Sequence, residues 1–244
     1  MKRSRIFGTA GIVWFLLTLA AIAYATRLAL VVAPTEATMG NVQRIFYYHV
    51  PTSMLSLLFP YVNFAASLFY LYWRQRDPLR ALTADAVAIS AAEVTVVYSS
   101  ICLLTGMLWG RAAWGIWWTW DARLTSMLLL WLLYVSYLML RKLSSTGQTN
   151  TLAAVLSVFA AIDVPIVYMS IQWWRTQHPA PVFFGGPDTG IDPSMKPAFG
   201  WNVLGWAMWG VFLLLFRYAL ERRRQESALA AALKAIEGSL ETAP

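Results

Sequence analysis

The sequence predicts an all-α polytopic membrane protein with six transmembrane helices and both termini in the cytoplasm. Its 244 residues are 59% hydrophobic and 13% charged, with a mean hydropathy of +0.54, which is far more apolar than an ordinary soluble domain. The apolar residues form long runs, and a helix needs about 20 residues to cross the hydrocarbon core. Lysine and arginine are gathered on one side of those runs, which predicts the orientation.

Polar, proline-containing or basic stretches separate six apolar runs, and we predict spans at 11–32, 51–73, 82–108, 124–140, 151–173 and 201–220. The first run resembles a cleaved signal peptide, but cleavage would leave five spans and place one terminus on the wrong side of the charge pattern. The fourth run is close to the lower limit of about 17 residues for a span, so it is expected to begin inside the preceding segment. The spans leave no room for a soluble domain. We therefore predict a single membrane domain, 1–244, with a cytoplasmic tail at 221–244.

The distribution of cations predicts which loops face outward. Thirteen lie on one side, namely Lys2, Arg3, Arg5, Arg74, Arg76, Arg80, Arg141, Lys142, Arg217, Arg222, Arg223, Arg224 and Lys234. Five lie on the other, namely Arg44, Arg111, Arg123, Arg175 and Lys196, with Arg27 inside the first span. Because cytoplasmic loops carry the excess of Lys and Arg, the loops near 33–50, 109–123 and 174–200 are predicted to face outward. The net charge of +7 is thus a topology signal with some attraction to anionic membrane lipid, and it does not indicate a nucleic-acid partner.

One outward loop, which we call the tryptophan-rich segment (109–125), holds five tryptophans within twelve positions: Trp109, Trp114, Trp117, Trp118 and Trp120. On a helix, Trp114, Trp117, Trp118 and Asp121 would share one face. With Gly110 and Gly115 loosening the backbone, we expect a short interfacial helix rather than a continuation of span three. Tryptophan also collects at membrane interfaces as an anchor, but anchoring needs a few tryptophans spread around a bundle. The local density favours a wide, flat ligand on which indole rings can stack, and haem is such a ligand.

The only two histidines of the chain support that interpretation. His49, in FYYHVP, and His178, in QWWRTQHPAP, both fall in predicted outward loops beside aromatic residues. A lone interfacial histidine is usually an amphipathic filler, but imidazole is also a standard axial ligand of haem iron. One histidine from each loop could hold the two faces of one ring. The single cysteine, Cys102, lies within span three and no Cys-x-x-Cys-His sequence is present, so covalent attachment of that kind is not expected.

Haem carries two propionates, which favour charge-assisted hydrogen bonds from arginine or lysine. The five outward cations are all candidates, and Arg111 and Arg123 lie within the tryptophan-rich segment itself. Asp121 could form an ion pair with Arg123 or contact the ligand, and the sequence leaves both possibilities open.

The run WGRAAWGIWWTWDARLTS, which starts at Trp109, resembles the WWD signature of haem-handling proteins in cytochrome c maturation. FYYHVP and QWWRTQHP are similar to the histidine loops of the CcmC family of the system I pathway, and six spans at about this length fit that family. The resemblance implies that His49 and His178 bind the metal of a non-covalent haem b. It further implies that the tryptophan-rich segment holds the ring at the periplasmic surface of the bacterial inner membrane. The partners that it implies are the haem chaperone CcmE, the small protein CcmD, and the ATP-driven CcmA and CcmB.

Three acidic residues are predicted inside spans, where charge is costly and often functional. Asp85 is expected to reach the cytoplasmic interface and Asp163 to satisfy backbone groups freed by Pro165, while Glu93 is the deepest; a transport mechanism would instead use them as a relay. In the tail, Leu229, Leu233, Ile236 and Leu240 form a helical stripe that suits either a cytoplasmic partner or the inner leaflet.

The sequence therefore predicts a haem-binding and delivery factor rather than an enzyme. Two alternatives remain open. A haem exporter would need a polar or aromatic path through the bundle, and neither paired broken helices nor an internal repeat is apparent. A b-type electron-transfer subunit usually places its ligating histidines within spans, and here neither is predicted to be mid-span.

Overall fold

A computed structural model of the protein describes residues 8–143, 148–180 and 190–241. Within them the chain forms six long helices: α1 Thr9–Arg27, α2 Phe46–Trp73, α3 Pro78–Trp114, α4 Ala122–Leu143, α5 Thr149–Trp173 and α6 Lys196–Glu241. All six are long and apolar enough to cross a membrane. Apart from an isolated antiparallel bridge between Glu36 and Gly40, the described residues form no β-structure. The predicted all-α, six-span architecture is confirmed, and the cytoplasmic position of the termini stays a prediction.

Helix α2 begins earlier than the sequence indicated, which moves His49 out of a loop. A 3-10 turn, Asn41–Ile45, leads into α2 at Phe46, so the helix passes through Pro51 instead of starting there. Hydroxyl groups bond to carbonyls around the proline: Thr52 donates to Tyr48 O at 2.7 Å and Ser53 to Val50 O at 3.3 Å. Such side chains make an internal proline tolerable in a membrane helix. The prediction that His49 lies in a loop was therefore wrong; it lies in the first turn of α2.

The tryptophan-rich segment does not form the short interfacial helix that we predicted. Helix α3 continues through Trp109 to Trp114 and ends at Gly115, whose φ of +78° is in the left-handed region that favours glycine. The Gly115 N–H still bonds to Arg111 O at 3.1 Å, and residues 116–121 then follow an irregular path until α4 begins. Because Gly115 stops the helix, Trp114, Trp117, Trp118 and Asp121 do not share a helical face.

The predicted tail is a direct extension of the sixth span. Helix α6 runs without interruption from Lys196 to Glu241, and beyond position 220 the Gln225 side chain donates to Leu82 O, near the start of α3, at 3.0 Å. The boundary that we predicted at 220 is thus absent, and the tail is not a separate helix. Leu240, a member of the predicted stripe, lies among positions whose side chains fall outside the description, as do Lys2, Arg3 and Arg5.

Polar groups tie the centre of the bundle together. Asn63 of α2 is fully buried; it donates to Ala88 O of α3 at 2.7 Å and accepts from Tyr134 of α4 at 3.3 Å and from Ser157 of α5. These bonds satisfy groups that hydrocarbon cannot. Four helices are thereby fixed around one amide.

Two carboxylates inside the bundle, one buried and one partly exposed, pair with arginines on neighbouring helices. Asp85 and Arg141 approach to 2.5 Å with side chains only 4% and 8% exposed, and Glu93 and Arg217 also approach to 2.5 Å. We expected Asp85 to reach the cytoplasmic interface, and that prediction was wrong: the residue lies inside the bundle, where Arg141 compensates its charge. Oδ2 of Asp163 is buried without a hydrogen-bond partner among the described residues.

Candidate functional site

A cavity of about 300 Å³ opens at the end of the bundle that carries the tryptophan-rich segment. Its walls come from the chain just before α2, from α2, α3, α4 and the end of α5, from the irregular stretch 116–121, and from the loop that follows α5. Seven of the ten residues predicted for the site line it: His49, Trp109, Trp114, Trp117, Trp118, Arg123 and His178. Most of the remaining wall is apolar, with Met54, Leu57, Met107 and Met127 among its members. The cavity thus combines two imidazoles with an aromatic and aliphatic lining, as expected for a large apolar ligand.

The orientation of the His49 ring is set by Thr105 of α3. Nδ1 of His49 lies 2.9 Å from Oγ1 of Thr105, and that hydroxyl is also 2.6 Å from the carbonyl of Ile101. The single hydroxyl proton goes to the carbonyl, which can only accept, so Nδ1 of His49 carries a proton and donates to Thr105. This arrangement leaves Nε2 of His49 without a proton and able to bind a metal. Gly106 permits the approach, since a Cβ there would lie 3.2 Å from Cε1 of the ring.

His178 has the same tautomer, which is set by the carbonyl of the next residue, Pro179. Nδ1 lies 2.8 Å from the carbonyl of Pro179, so Nδ1 donates and Nε2 again keeps its lone pair. Burial and the nearby charge of Arg123 lower the pKa of His178 to about 4, against the opposing effect of the Pro179 hydrogen bond. The ring is consequently neutral at neutral pH, the form in which imidazole binds metals.

The two imidazoles come together although they lie in different elements. Their ring centroids are 6.4 Å apart and the ring planes make an angle of 39°. Two imidazoles that bind one metal from opposite sides through Nε2, with bonds of about 2 Å, have centroids roughly 6 Å apart. The observed separation therefore matches the spacing of two imidazoles that share one metal ion.

The five tryptophans of the segment fall into two groups: four line the cavity, and Trp120 does not. Trp109 and Trp114 pack edge to face with centroids 5.0 Å apart, and Trp118 and Trp120 do so at 5.7 Å. Trp120 is 77% exposed and lies outside the cavity wall, whereas Nε1 of Trp118 is buried without a hydrogen-bond partner among the described residues. Four indoles thus line the cavity and the fifth lies on the surface beside it.

The charged residues of the segment have different surroundings from each other. Arg111 donates to Gly115 O and does not line the cavity, while Arg123 lines it and donates to Val167 O. Asp121 forms no ion pair with Arg123 in the described structure. Its carboxylate instead accepts from Leu124 N at 2.9 Å, Thr176 Oγ1 at 2.6 Å and Gln177 N at 3.3 Å. Burial opposes ionisation, but these hydrogen bonds outweigh it and lower the pKa of Asp121.

Sequence analysis missed the residues that orient the histidines. Thr105 is one polar position within an apolar span, and Thr176 is one of several polar residues in a loop. Their contacts join positions more than 50 residues apart, such as His49 with Thr105 or Asp121 with Thr176. No local pattern predicts such pairs, although Thr176 lies only two residues before a predicted ligand.

Comparison with known proteins identifies relatives along most of the chain. A family model described as "Heme exporter protein C" (CcmC) matches residues 3–232. A protein of that name from Escherichia coli K12 is 32% identical over 199 residues, or 79% of this chain and 77% of the relative. The one from Bradyrhizobium diazoefficiens is 41% identical over 147 residues, which span 60% of this chain and only 54% of the relative. A "putative cytochrome c biosynthesis ccmC-like mitochondrial protein" from Marchantia polymorpha is 34% identical over 168 residues, 69% of this chain and 67% of the relative.

Proposed function

The chain belongs to the heme exporter protein C (CcmC) family, and from this premise we propose that it binds haem between His49 and His178 and delivers it to a haem chaperone during c-type cytochrome biogenesis. The observation that carries the proposal is the histidine pair: two imidazoles 6.4 Å apart, each with Nδ1 engaged as a donor and Nε2 free, inside a tryptophan-lined cavity. Haem supplies an iron with two axial positions, and two neutral Nε2 atoms suit those positions.

The tryptophans would hold the ring and exclude water. Trp109, Trp114, Trp117 and Trp118 line the cavity and offer large flat faces at little cost in side-chain entropy. Arg123 is the one cation in the wall among the described residues, which makes it the first candidate for a propionate contact. The haem would be non-covalent haem b, since the only cysteine, Cys102, is buried in α3.

Delivery requires a partner that can reach the bound ring. We propose that this partner is the chaperone CcmE, with CcmD, CcmA and CcmB as further components of the assembly. The cations gathered at the other end of the bundle favour a periplasmic position for the cavity in a bacterial inner membrane. Trp120, exposed beside the cavity, offers that partner an apolar contact. The chain itself then acts as a binding and delivery factor rather than an enzyme.

Export of haem through the bundle is the second candidate, because the relatives carry that name. Against it, the described cavity lies at one end of the bundle, and Asp85 and Glu93 are engaged with Arg141 and Arg217 rather than lining an open path. A b-type electron-transfer role gains some support from His49, which lies in α2, but the ligand pair is at the end of the bundle rather than mid-span.

The decisive experiment measures haem in the purified protein and in its histidine variants. We expect His49→Ala and His178→Gly each to lose the low-spin bis-imidazole absorption spectrum, and the double variant to retain little haem by pyridine haemochrome assay. Exogenous imidazole should restore the low-spin spectrum of His178→Gly, which would show that the fold is intact and only the ligand is missing. Unchanged haem content and spectrum in the double variant would refute the ligand assignment.

Delivery and export can then be separated in vesicles. Protein reconstituted with haem added on the cavity side only should load purified apo-CcmE on that same side. Export would instead require haem enclosed at the opposite side to reach the chaperone. If the chaperone is loaded only in the second arrangement, delivery from an outward-facing cavity is wrong.

A further inference from the structure

The carboxylate of Asp121 joins two segments that are far apart in sequence. Oδ1 accepts from Leu124 N at 2.9 Å at the start of α4, and Oδ2 accepts from the Thr176 hydroxyl at 2.6 Å and from Gln177 N at 3.3 Å. One oxygen therefore serves the tryptophan-rich segment and the other serves the loop after α5. An ionised carboxylate makes such hydrogen bonds stronger than neutral groups do.

Thr176 passes this connection on to His178. Its hydroxyl proton is donated to Asp121, and its oxygen accepts the backbone N–H of His178 at 3.1 Å. The imidazole of His178 is in turn held by its Nδ1 bond to Pro179 O at 2.8 Å. A continuous chain of hydrogen bonds thus runs from Asp121 through Thr176 to the backbone of His178, and the ring is fixed relative to that backbone.

We propose that Asp121 and Thr176 are positioning residues that fix the His178 loop to the tryptophan-rich segment, so that the second imidazole stays opposite His49. The inference rests on the proposed function, because it concerns where the second haem ligand is held. His49 needs no such device, since it lies in α2 and is held by Thr105 of α3. His178 follows the end of α5 at Trp173 and has no helix of its own, and a ligand pair must be held to within about 0.5 Å to work well.

This assignment gives Asp121, which directly follows the last tryptophan of the tryptophan-rich segment, a role apart from contact with the ligand. Asp121 does not line the cavity, whereas four of the five indoles before it do, and so does His178 beyond Thr176. The hydrogen bonds therefore connect the tryptophan-rich segment, which would hold the ring, to His178, which would hold the metal.

The test replaces Thr176 with valine, which keeps the shape but removes both hydrogen bonds while leaving the Asp121 cap on α4 in place. In the haem-free protein, we expect faster hydrogen exchange in a peptide covering residues 174–180. In the haem-loaded protein, we expect haem loss faster by roughly ten- to a hundredfold, in line with other outer-shell partners of metal ligands, and a mixed-spin ferric EPR signal. Thr176→Ser, which keeps the hydroxyl, should behave like the wild type.

The outcomes separate this inference from the proposed function. If His178→Gly abolishes the low-spin spectrum but Thr176→Val leaves exchange, EPR signal and haem loss unchanged, the positioning role is wrong and the ligand assignment stands. If His178→Gly itself leaves the spectrum unchanged, the proposed function fails first. If Thr176→Val does not fold, Asp121→Asn is the second variant. Its amide oxygen can still accept from Leu124 N at the start of α4, but its NH₂ group then meets the N–H of Gln177. Wild-type hydrogen exchange and haem loss in Asp121→Asn would overturn the proposal.

Discussion

Nδ1 of His49 lies 2.9 Å from the hydroxyl of Thr105, and this contact joins the first turn of α2 to α3 at the wall of the cavity. Because Thr105 donates its own proton to the carbonyl of Ile101 in α3, its oxygen can only accept from the imidazole. The bond therefore selects the tautomer whose Nε2 is free to bind metal, and it does so before any ligand arrives.

We expect Thr105→Val to lower haem affinity by about ten- to a hundredfold, the usual effect of removing an outer-shell partner of a metal ligand. Without the hydroxyl, His49 loses its orientation and the preference for a proton on Nδ1. Thr95→Val is the matched control, because Thr95 lies in the same helix, is buried, and makes the same kind of bond to Ala91 O at 2.9 Å. Thr105→Ser should retain affinity in a haem titration, and equal affinities for Thr105→Val and Thr95→Val would contradict the role of Thr105.

The lowered pKa of His178, about 4, predicts how the haem-free site responds to acid. The folded loop favours the neutral ring, so between the ordinary histidine pKa of about 6.5 and 4 the unfolded chain binds a proton that the folded one does not. Loop stability should therefore fall as the pH drops through that window, while Nε2 remains unprotonated. In His49→Ala, where His178 is the only histidine left, ¹⁵N NMR should show a neutral ring at pH 5.5. A ring that titrates near pH 6.5 would contradict this expectation.

The two groups of tryptophans should differ in their effect on haem. Trp114→Leu and Trp117→Leu remove faces from the cavity wall, and the loss of aromatic packing, about 0.5–1.5 kcal/mol beyond burial, corresponds to haem loss roughly two- to tenfold faster. Trp120→Leu is the matched control, since Trp120 is 77% exposed and lies outside the wall. The rates can be measured by transfer of haem to apomyoglobin. Equal rates in all three variants would reduce the tryptophans to membrane anchors.

The spans and the grouping of candidate residues could be predicted from sequence because each depends on local composition. Long apolar runs specify helices in a bilayer almost without regard to their neighbours. Five tryptophans in twelve positions predict a binding surface whatever path the backbone takes. The local path of the tryptophan-rich segment could not be predicted, since helical periodicity competes there with the left-handed conformation of Gly115. The start of α2 was missed for a related reason: Pro51 looks like a boundary until hydroxyl groups around it are seen to satisfy carbonyls.

The ion pairs inside the bundle could not be predicted from the sequence. Asp85 and Glu93 could be recognised as costly, but their partners lie on other helices, Arg141 on α4 and Arg217 on α6. The cation pattern assigned both arginines to span ends, where they would serve topology. Only the packing of the helices shows that each also compensates a carboxylate.

The Asp85–Arg141 pair gives a stability prediction with a control in the same protein. Asp85→Asn leaves Arg141 buried without its ion-pair partner, and breaking a buried pair in this way costs about 3–5 kcal/mol. Arg80→Gln removes an exposed pair with Asp77, in which the arginine side chain is 63% exposed, and should cost at most about 1 kcal/mol. Steric-trapping measurements of the free energy of unfolding in bicelles can compare them. The double variant Asp85→Asn/Arg141→Gln should recover part of the lost stability, because the arginine that lacks its partner in the single variant is removed as well. If the double variant is as unstable as the sum of its two single changes, the two side chains act independently.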